Sequence, residues 1–258
     1  MLISMLSMCG KEERNTMRQL QRDWFRQWGF LDLKFVLDEN ENGINCVEQL
    51  AAEQSKYNDL VFIPTKRQGY KQLIYKIESM VQFLGGELES GRYNYKYIFK
   101  TDDDSFIRPE RLRKFVEDAC GKFDECYFGA LFKPSEGHSS PDYKARTLSD
   151  RFVFPFASGA GYGWSKSSLI KLNGMIKATG GLVKYEAEDA TMGQWMSQIE
   201  TTHFGEIHWT KGPSLCENPD TCLVHAIKKP NEMKKMMELE QAGKSYVEFC
   251  KTIRLNGP

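Results

Sequence analysis

Short apolar, β-rich runs alternate along this chain with amphipathic stretches of helical period, and that alternation restricts it to an α/β fold built on a mostly parallel sheet. The strand candidates are Leu2 to Met5, Lys34 to Leu37, Leu60 to Ile63, Tyr97 to Lys100 and Tyr127 to Leu131. Between the third and fourth, Tyr70, Leu73, Ile74, Ile77, Val81 and Leu84 recur at three- and four-residue steps. That spacing marks one face of a helix, which Gly85 and Gly86 are expected to end. A second helix carries Met17, Leu20, Trp24 and Trp28, and a third follows Pro109 with Leu112, Phe115 and Val116 inward. Proline suits the first helical turn, where its missing N–H would have no partner anyway. The polar, turn-rich stretch Lys133 to Asp150 reads as a long loop rather than a linker.

The 258 residues leave room for one large α/β domain, and no shift in composition divides them, so residues 1–258 are read as a single domain. Lysine plus arginine equals aspartate plus glutamate at 35 each, so no overall field draws the chain to a polyanion. Nucleic acid is therefore excluded as a first expectation. Apolar residues at 41% supply enough core material to exclude a disordered chain. The opening MLISMLSMCG is apolar but far shorter than the roughly 20 residues of a bilayer span, and it reads as a buried first strand. Either the chain is soluble or it begins downstream of an anchor.

Seven cysteines cannot all pair within one chain. Cys120 with Cys126 and Cys216 with Cys222 are close enough in sequence to close small loops in an oxidising compartment. Reduced thiols are the alternative, and spacing leaves both open. There is no CxxC pattern of the zinc or redox type.

The chemistry-bearing segment is YKYIFKTDDDSFIRPERL, where three carboxylates stand at the end of an apolar strand just before a helix. Open α/β sheets bind ligands beyond the carboxyl ends of their strands. Adjacent carboxylates repel one another unless a cation offsets them, and hard divalent ions such as Mn²⁺ and Mg²⁺ take oxygen ligands. A metal site and a solvated acidic turn both remain open. FPFASGAGYGWSKSSLIKL reads as a glycine-rich turn leading into a helix, with small residues from Ser158 to Gly163. In KYEAEDATMGQWM, Glu186, Glu188 and Asp189 precede an apolar helical run. Such acids either stabilise a helix dipole or serve as a general base. Of four scattered histidines, His225 ends a short apolar run ahead of a proline-initiated helix, His138 lies in the polar loop, and His203 and His208 flank a strand start.

Taken in order, these segments resemble the β1,3-galactosyltransferase and β1,3-N-acetylglucosaminyltransferase family, glycosyltransferase family 31, over almost the whole chain. YKYIFKTDDDSF looks like its metal-binding DxD block, ASGAGYGWSKSSL like its donor-site turn, AEDATMGQW like its ED block and LVHAIKKPNEM like its late metal histidine. The resemblance implies a GT-A-like, Rossmann-type α/β fold. It implies that Asp104 and His225, with Asp102, hold Mn²⁺, and that Asp102 and Asp103 face the donor nucleotide or metal-bound water. Gly159 and Gly161 would belong to the donor site, and Asp189 would be the catalytic base. QGYKQLIYKI matches the family's tyrosine- and lysine-bearing helix start, which makes Lys76 a donor-site residue. QRDWFRQWG fits the early arginine and tryptophan motif in two registers, so no arginine is assigned from it.

The implied reaction moves a sugar, galactose as first choice, from a UDP-sugar to a glycan hydroxyl in one inverting displacement, in the Golgi. A non-catalytic relative, acting as a chaperone or carbohydrate-binding partner, is expected to have lost its metal carboxylates or its base. Here Asp102, Asp104, Asp189 and His225 are all present. A cytosolic nucleotidyltransferase would explain the three aspartates but not the later blocks.

Overall fold

The opening apolar run forms β1 (Leu2–Leu6), buried along its whole length. The computed structural model describes residues 1–64, 72–132, 154–182, 184, 187–211 and 221–244. After β1 come α1 (Glu12–Phe25), β2 (Asp32–Asp38), a small hairpin of β3 (Asn40–Glu41) and β4 (Ile44–Asn45), α2 (Cys46–Gln49), α3 (Ala51–Tyr57) and β5 (Leu60–Ile63). The chain continues through α4 (Leu73–Glu89), β6 (Tyr97–Asp102), β7 (Phe106–Ile107), α5 (Pro109–Cys120) and β8 (Cys126–Phe132). It then forms β9 (Phe156–Ser165), α6 (Lys166–Thr179), α7 (Glu188–Ser197), β10 (His203–Glu206), β11 (Trp209–Lys211), β12 (Leu223–His225) and α8 (Pro230–Gln241).

Seven strands make the central sheet in the order β10-β8-β9-β6-β1-β2-β5. All neighbours are parallel except at β9, which runs antiparallel to both β8 and β6. The mostly parallel sheet expected from the sequence is therefore the one found. Both faces are covered, as parallel sheets require. Along β1 and β6, Ile3, Met5 and Phe99 face a core shared with Met17 and Trp24 of α1, Leu112 and Val116 of α5 and Met233 of α8. Leu2, Leu6 and Ile98 face the opposite core, with Ile77 and Val81 of α4, Leu169 of α6 and Trp195 of α7. This period-two alternation places helices in two layers around the sheet.

Three expectations are corrected. The stretch Phe156–Ser165 is a ten-residue strand, not a turn. Its glycines serve packing: a side chain at Gly161 would strike the Phe99 ring at 2.7 Å, and one at Gly163 would strike the Ile98 carbonyl. The helix α4 runs through Gly85 and Gly86 to Glu89, because Gly85 lets the helix press against Asn173 of α6. Trp28 lies beyond the end of α1, in the turn before β2, where its ring meets Trp24 edge-on at 5.9 Å between centroids.

Of the close cysteine pairs, Cys120–Cys126 is bonded, whereas Cys216 lies outside the described residues. A bond between Cys9 and Cys46 joins the exit of β1 to the start of α2, with their Cα atoms 5.7 Å apart. No short spacing announces it. The loop Lys133 to Asp150, with His138, and the residues Tyr70 and Glu186 also fall outside the described residues. Among the described residues no helix is long and apolar enough to cross a membrane.

Candidate active site

The carboxyl end of β6 delivers the three aspartates to one edge of the sheet. A second, three-stranded sheet of order β11-β12-β7 lies against it, and β12 brings in His225. Ligand atoms of Asp102, Asp104 and His225 lie within 4.8 Å of one another. The backbone N–H of Ile227 donates to the Asp104 carbonyl at 2.8 Å, fastening the segment after β12 onto the aspartate turn. Between them Ala226 adopts a left-handed conformation, φ +68°, which costs a non-glycine residue free energy and here directs the chain back toward Asp104. The His225 ring nitrogen Nδ1 is 3.1 Å from the Ser105 hydroxyl and 3.5 Å from Asp104 Oδ1.

Asp104 Oδ1 is buried and receives no hydrogen bond among the described residues. An acceptor stripped of water without a donor is costly, and burial raises the pKa of this carboxyl, with the His225 imidazole lowering it in part. Two carboxylates and an imidazole around such an oxygen fit a divalent cation of the Mn²⁺ type. Asp103 is different. It is 2% exposed, accepts from Ser7 Oγ at 2.7 Å and is paired with Arg14. Burial pushes its pKa up to about 6 against the opposing pull of Arg14 and the Ser7 hydroxyl. Its carboxylate faces into the protein at the base of the turn.

Across β9 stand the acids of the first turn of α7. The Asp189 carboxylate accepts from the Gly159 N–H at 3.3 Å and from the Ala190 N–H at 2.8 Å. Glu188 accepts from the Tyr162 hydroxyl. Burial pushes Glu188 up to about 7; Lys100 pulls the value down, Asp189 pushes it up further, and the Tyr162 hydroxyl lowers it. Gly159 is the strand residue beside these acids, and a side chain there would meet Glu188 Oε2 at 3.3 Å. Gly161 sits further along the strand, opposite Thr101 and against the Phe99 ring.

Lys76 reaches the same end of the sheet from α4. Its ammonium donates to the Ser7 carbonyl at 3.0 Å and lies 3.4 Å from Asp38 Oδ2. Ser7 in turn holds Asp103, so Lys76 stands one residue removed from the aspartate turn. Of the two arginines in QRDWFRQWG, Arg22 of α1 pairs with Glu53 and Asp59, and Arg26, just past the end of α1, lies 3.7 Å from Asp23. Earlier on α1, Arg14 pairs with Asp103, and Arg18 with the Met8 carbonyl and Glu53.

Lys100, which belongs to none of the sequence motifs as a site residue, lies between Asp102 and Gly159. It is fully buried in β6, donates to the Gly159 carbonyl at 2.7 Å and pairs with Asp102 Oδ1 at 3.1 Å. Burial opposes its charge, but Asp102, Glu188 and Asp189 together hold its pKa above the ordinary lysine value. The one signal in the sequence is a lysine inside an otherwise apolar strand, two residues before the first aspartate.

The carboxylate–histidine cluster at the carboxyl end of one strand, with buried acids beside the next, lies where open α/β sheets bind their ligands. Residues 12–204 match the galactosyltransferase family, and the chain belongs to that family. It is 26% identical over 157 residues to beta-1,3-galactosyltransferase 6 of Mus musculus, covering 58% of this chain and 45% of that protein. To the probable beta-1,3-galactosyltransferase 13 of Arabidopsis thaliana it is 24% identical over 220 residues, 81% of this chain and 59% of that one. The chain thus spans about half the length of these curated relatives. Among solved structures, a glycosyltransferase involved in glycosylation of the major capsid of PBCV-1 superposes with a TM-score of 0.48 at 13% identity, covering 92% of this chain and 100% of that one.

Proposed function

We propose that this chain is a catalytic domain, residues 1–258, that transfers a sugar from a UDP-sugar to a carbohydrate hydroxyl with inversion, galactose being the first choice of donor sugar. The observation that carries this reading is the gathering of Asp102, Asp104 and His225 within 4.8 Å at the end of β6, while the neighbouring strand β9 holds the Asp189 carboxylate through Gly159. Membership of the galactosyltransferase family supports it.

Asp102, Asp104 and His225 would hold a divalent ion, Mn²⁺ in the first instance, which when bound supplies Lewis-acid stabilisation of the departing diphosphate. Asp189 is oriented by two backbone N–H groups and takes the acceptor hydroxyl's proton as that oxygen attacks the anomeric carbon. The attack comes from the face opposite UDP, so one displacement inverts the centre and needs no covalent enzyme intermediate. Asp103, held by Arg14 and Ser7, and Lys76, held by Ser7 and Asp38, maintain the donor end of the site. Gly159, lacking a side chain, lets the carboxylates of Glu188 and Asp189 lie close against β9. The same reading places the protein in the Golgi lumen.

The test is a screen of UDP-sugars and simple glycosides with the purified protein and Mn²⁺, read by product mass and anomeric NMR. Transfer with inversion from at least one donor is expected. Retention of configuration, or no turnover of any donor, would overturn the reading.

A further inference from the structure

The proposed metal half and base half of the site are built on different strands, β6 and β9, and one buried side chain joins them. Lys100 Nζ contacts Asp102 Oδ1 at 3.1 Å on one side and the Gly159 carbonyl at 2.7 Å on the other. The same Gly159 donates its N–H to Asp189 at 3.3 Å. A continuous path therefore runs from Asp102 through Lys100 and Gly159 to Asp189, each link a hydrogen bond or ion pair. The ammonium also lies 5.3 Å from the centre of the Tyr162 ring, whose hydroxyl holds Glu188. A lysine side chain is rarely buried to this degree without a partner for its charge, and here the partners are the two halves of the site.

We propose that Lys100 is the positioning residue that fixes Asp102 relative to Asp189, holding one oxygen of Asp102 against the strand while it anchors the Gly159 peptide beneath the base. This rests on the transferase reading for its catalytic consequence, but its structural content concerns Asp102 alone. An ammonium 3.1 Å from Asp102 Oδ1 competes with a cation for that oxygen. It thereby weakens cation binding while improving the alignment of the carboxylates, and alignment to within about 0.5 Å is what catalysis demands. A residue that merely supported the fold would have the opposite signature, since its loss would loosen metal binding and activity together.

Lys100→Met keeps an unbranched side chain only one atom shorter and removes the charge. Three measurements decide the matter: the melting temperature, free Mn²⁺ counted by electron paramagnetic resonance without donor, and steady-state transfer. Expected are Mn²⁺ binding at least threefold tighter than in the parent, kcat at least tenfold lower and a donor KM within threefold. Unchanged or looser Mn²⁺ binding overturns the proposal, and so does tighter binding with an unaltered kcat. Should Lys100→Met not fold, Lys100→Gln carries the same test, because it keeps an N–H donor for Gly159 and lacks the charge. A parent that transfers from no donor defeats the transferase reading; the Mn²⁺ comparison then decides Lys100 by itself.

Discussion

Gly159 and Asp189, thirty residues apart in sequence, meet through a hydrogen bond of 3.3 Å from the glycine N–H to the aspartate carboxylate. With the 2.8 Å bond from Ala190 N–H to the other oxygen, the carboxylate is fixed at the first turn of α7 before any acceptor arrives. Asp189→Asn is expected to lower the transfer rate roughly 10²- to 10⁴-fold, since an amide cannot accept the acceptor's proton. UDP and Mn²⁺ should bind with near-native affinity. The amide turns one donor group toward a backbone N–H, so a stability loss of no more than about 2 kcal/mol is expected. Rate, calorimetric binding and melting are measured on the same preparation. A comparable rate in the variant would assign the proton transfer to another carboxylate, Glu188 first.

The neighbouring Glu188 makes a prediction about stability and pH. Its carboxyl rises from an ordinary 4.5 to about 7 in the folded protein, so the folded state holds this proton more tightly than the unfolded chain does. Stability linked to the group is then present below about 4.5 and is lost as pH climbs toward about 7. Glu188→Gln removes the titration while keeping an acceptor for the Tyr162 hydroxyl. The variant's stability relative to the parent should therefore increase between these two pH values and level off above them, by at most about 3 kcal/mol at ~1.4 kcal/mol per pKa unit. Chemical denaturation at intervals of half a pH unit measures it, and a pH-independent difference would sink the idea.

Most of the sheet was legible because its strands are continuous apolar runs, which only a strand buried on both faces requires. β9 was not, because Phe156–Ser165 is rich in glycine, serine and alanine, residues of low strand propensity. Those small residues answer to partners far away in the chain, the rings of Phe99 and Phe128, and only the folded packing reveals them. The same distance hid Lys100, whose acceptor Gly159 is 59 residues on, and the Cys9–Cys46 bond, whose halves are 37 residues apart. What the ordered motifs did convey was which types of residue would meet. Asp102, Asp104 and His225 do converge, whereas Asp103 points inward to Arg14 and Gly161 packs on Phe99.

Adjacent glycines in α4 offer a matched comparison. A side chain at Gly85 would stand 2.5 Å from Asn173 Cβ, whereas one at Gly86 meets nothing within 4 Å. Gly85→Ala should destabilise the protein by about 1–3 kcal/mol through overpacking between α4 and α6. Gly86→Ala should stabilise it by up to about 1 kcal/mol, because alanine restricts the unfolded chain and favours the helix. Equal effects at the two positions, measured by urea titration, would contradict the close approach of these helices.

Removal of His225 tests the metal half of the site. Asp104 Oδ1 is buried without a hydrogen bond among the described residues, and His225 Nδ1 faces it at 3.5 Å, so imidazole and carboxylate are placed to share one cation. Activity should require a divalent ion and prefer Mn²⁺, because a nitrogen ligand beside carboxylates suits it better than Mg²⁺. His225→Ala should then raise the Mn²⁺ concentration for half-maximal transfer at least tenfold, while the fold survives, since β12 is held by its backbone pairing with β7 and β11. The variant also takes a basic group from beside Asp104, so its apo form should melt no higher than the parent's. Saturating Mn²⁺ should recover a large part of the rate, as expected when one ligand of three is lost and the base Asp189 is untouched. Full turnover by the parent in excess chelator would remove the metal from the reaction, and an unchanged Mn²⁺ titration in the variant would remove His225 from the metal site.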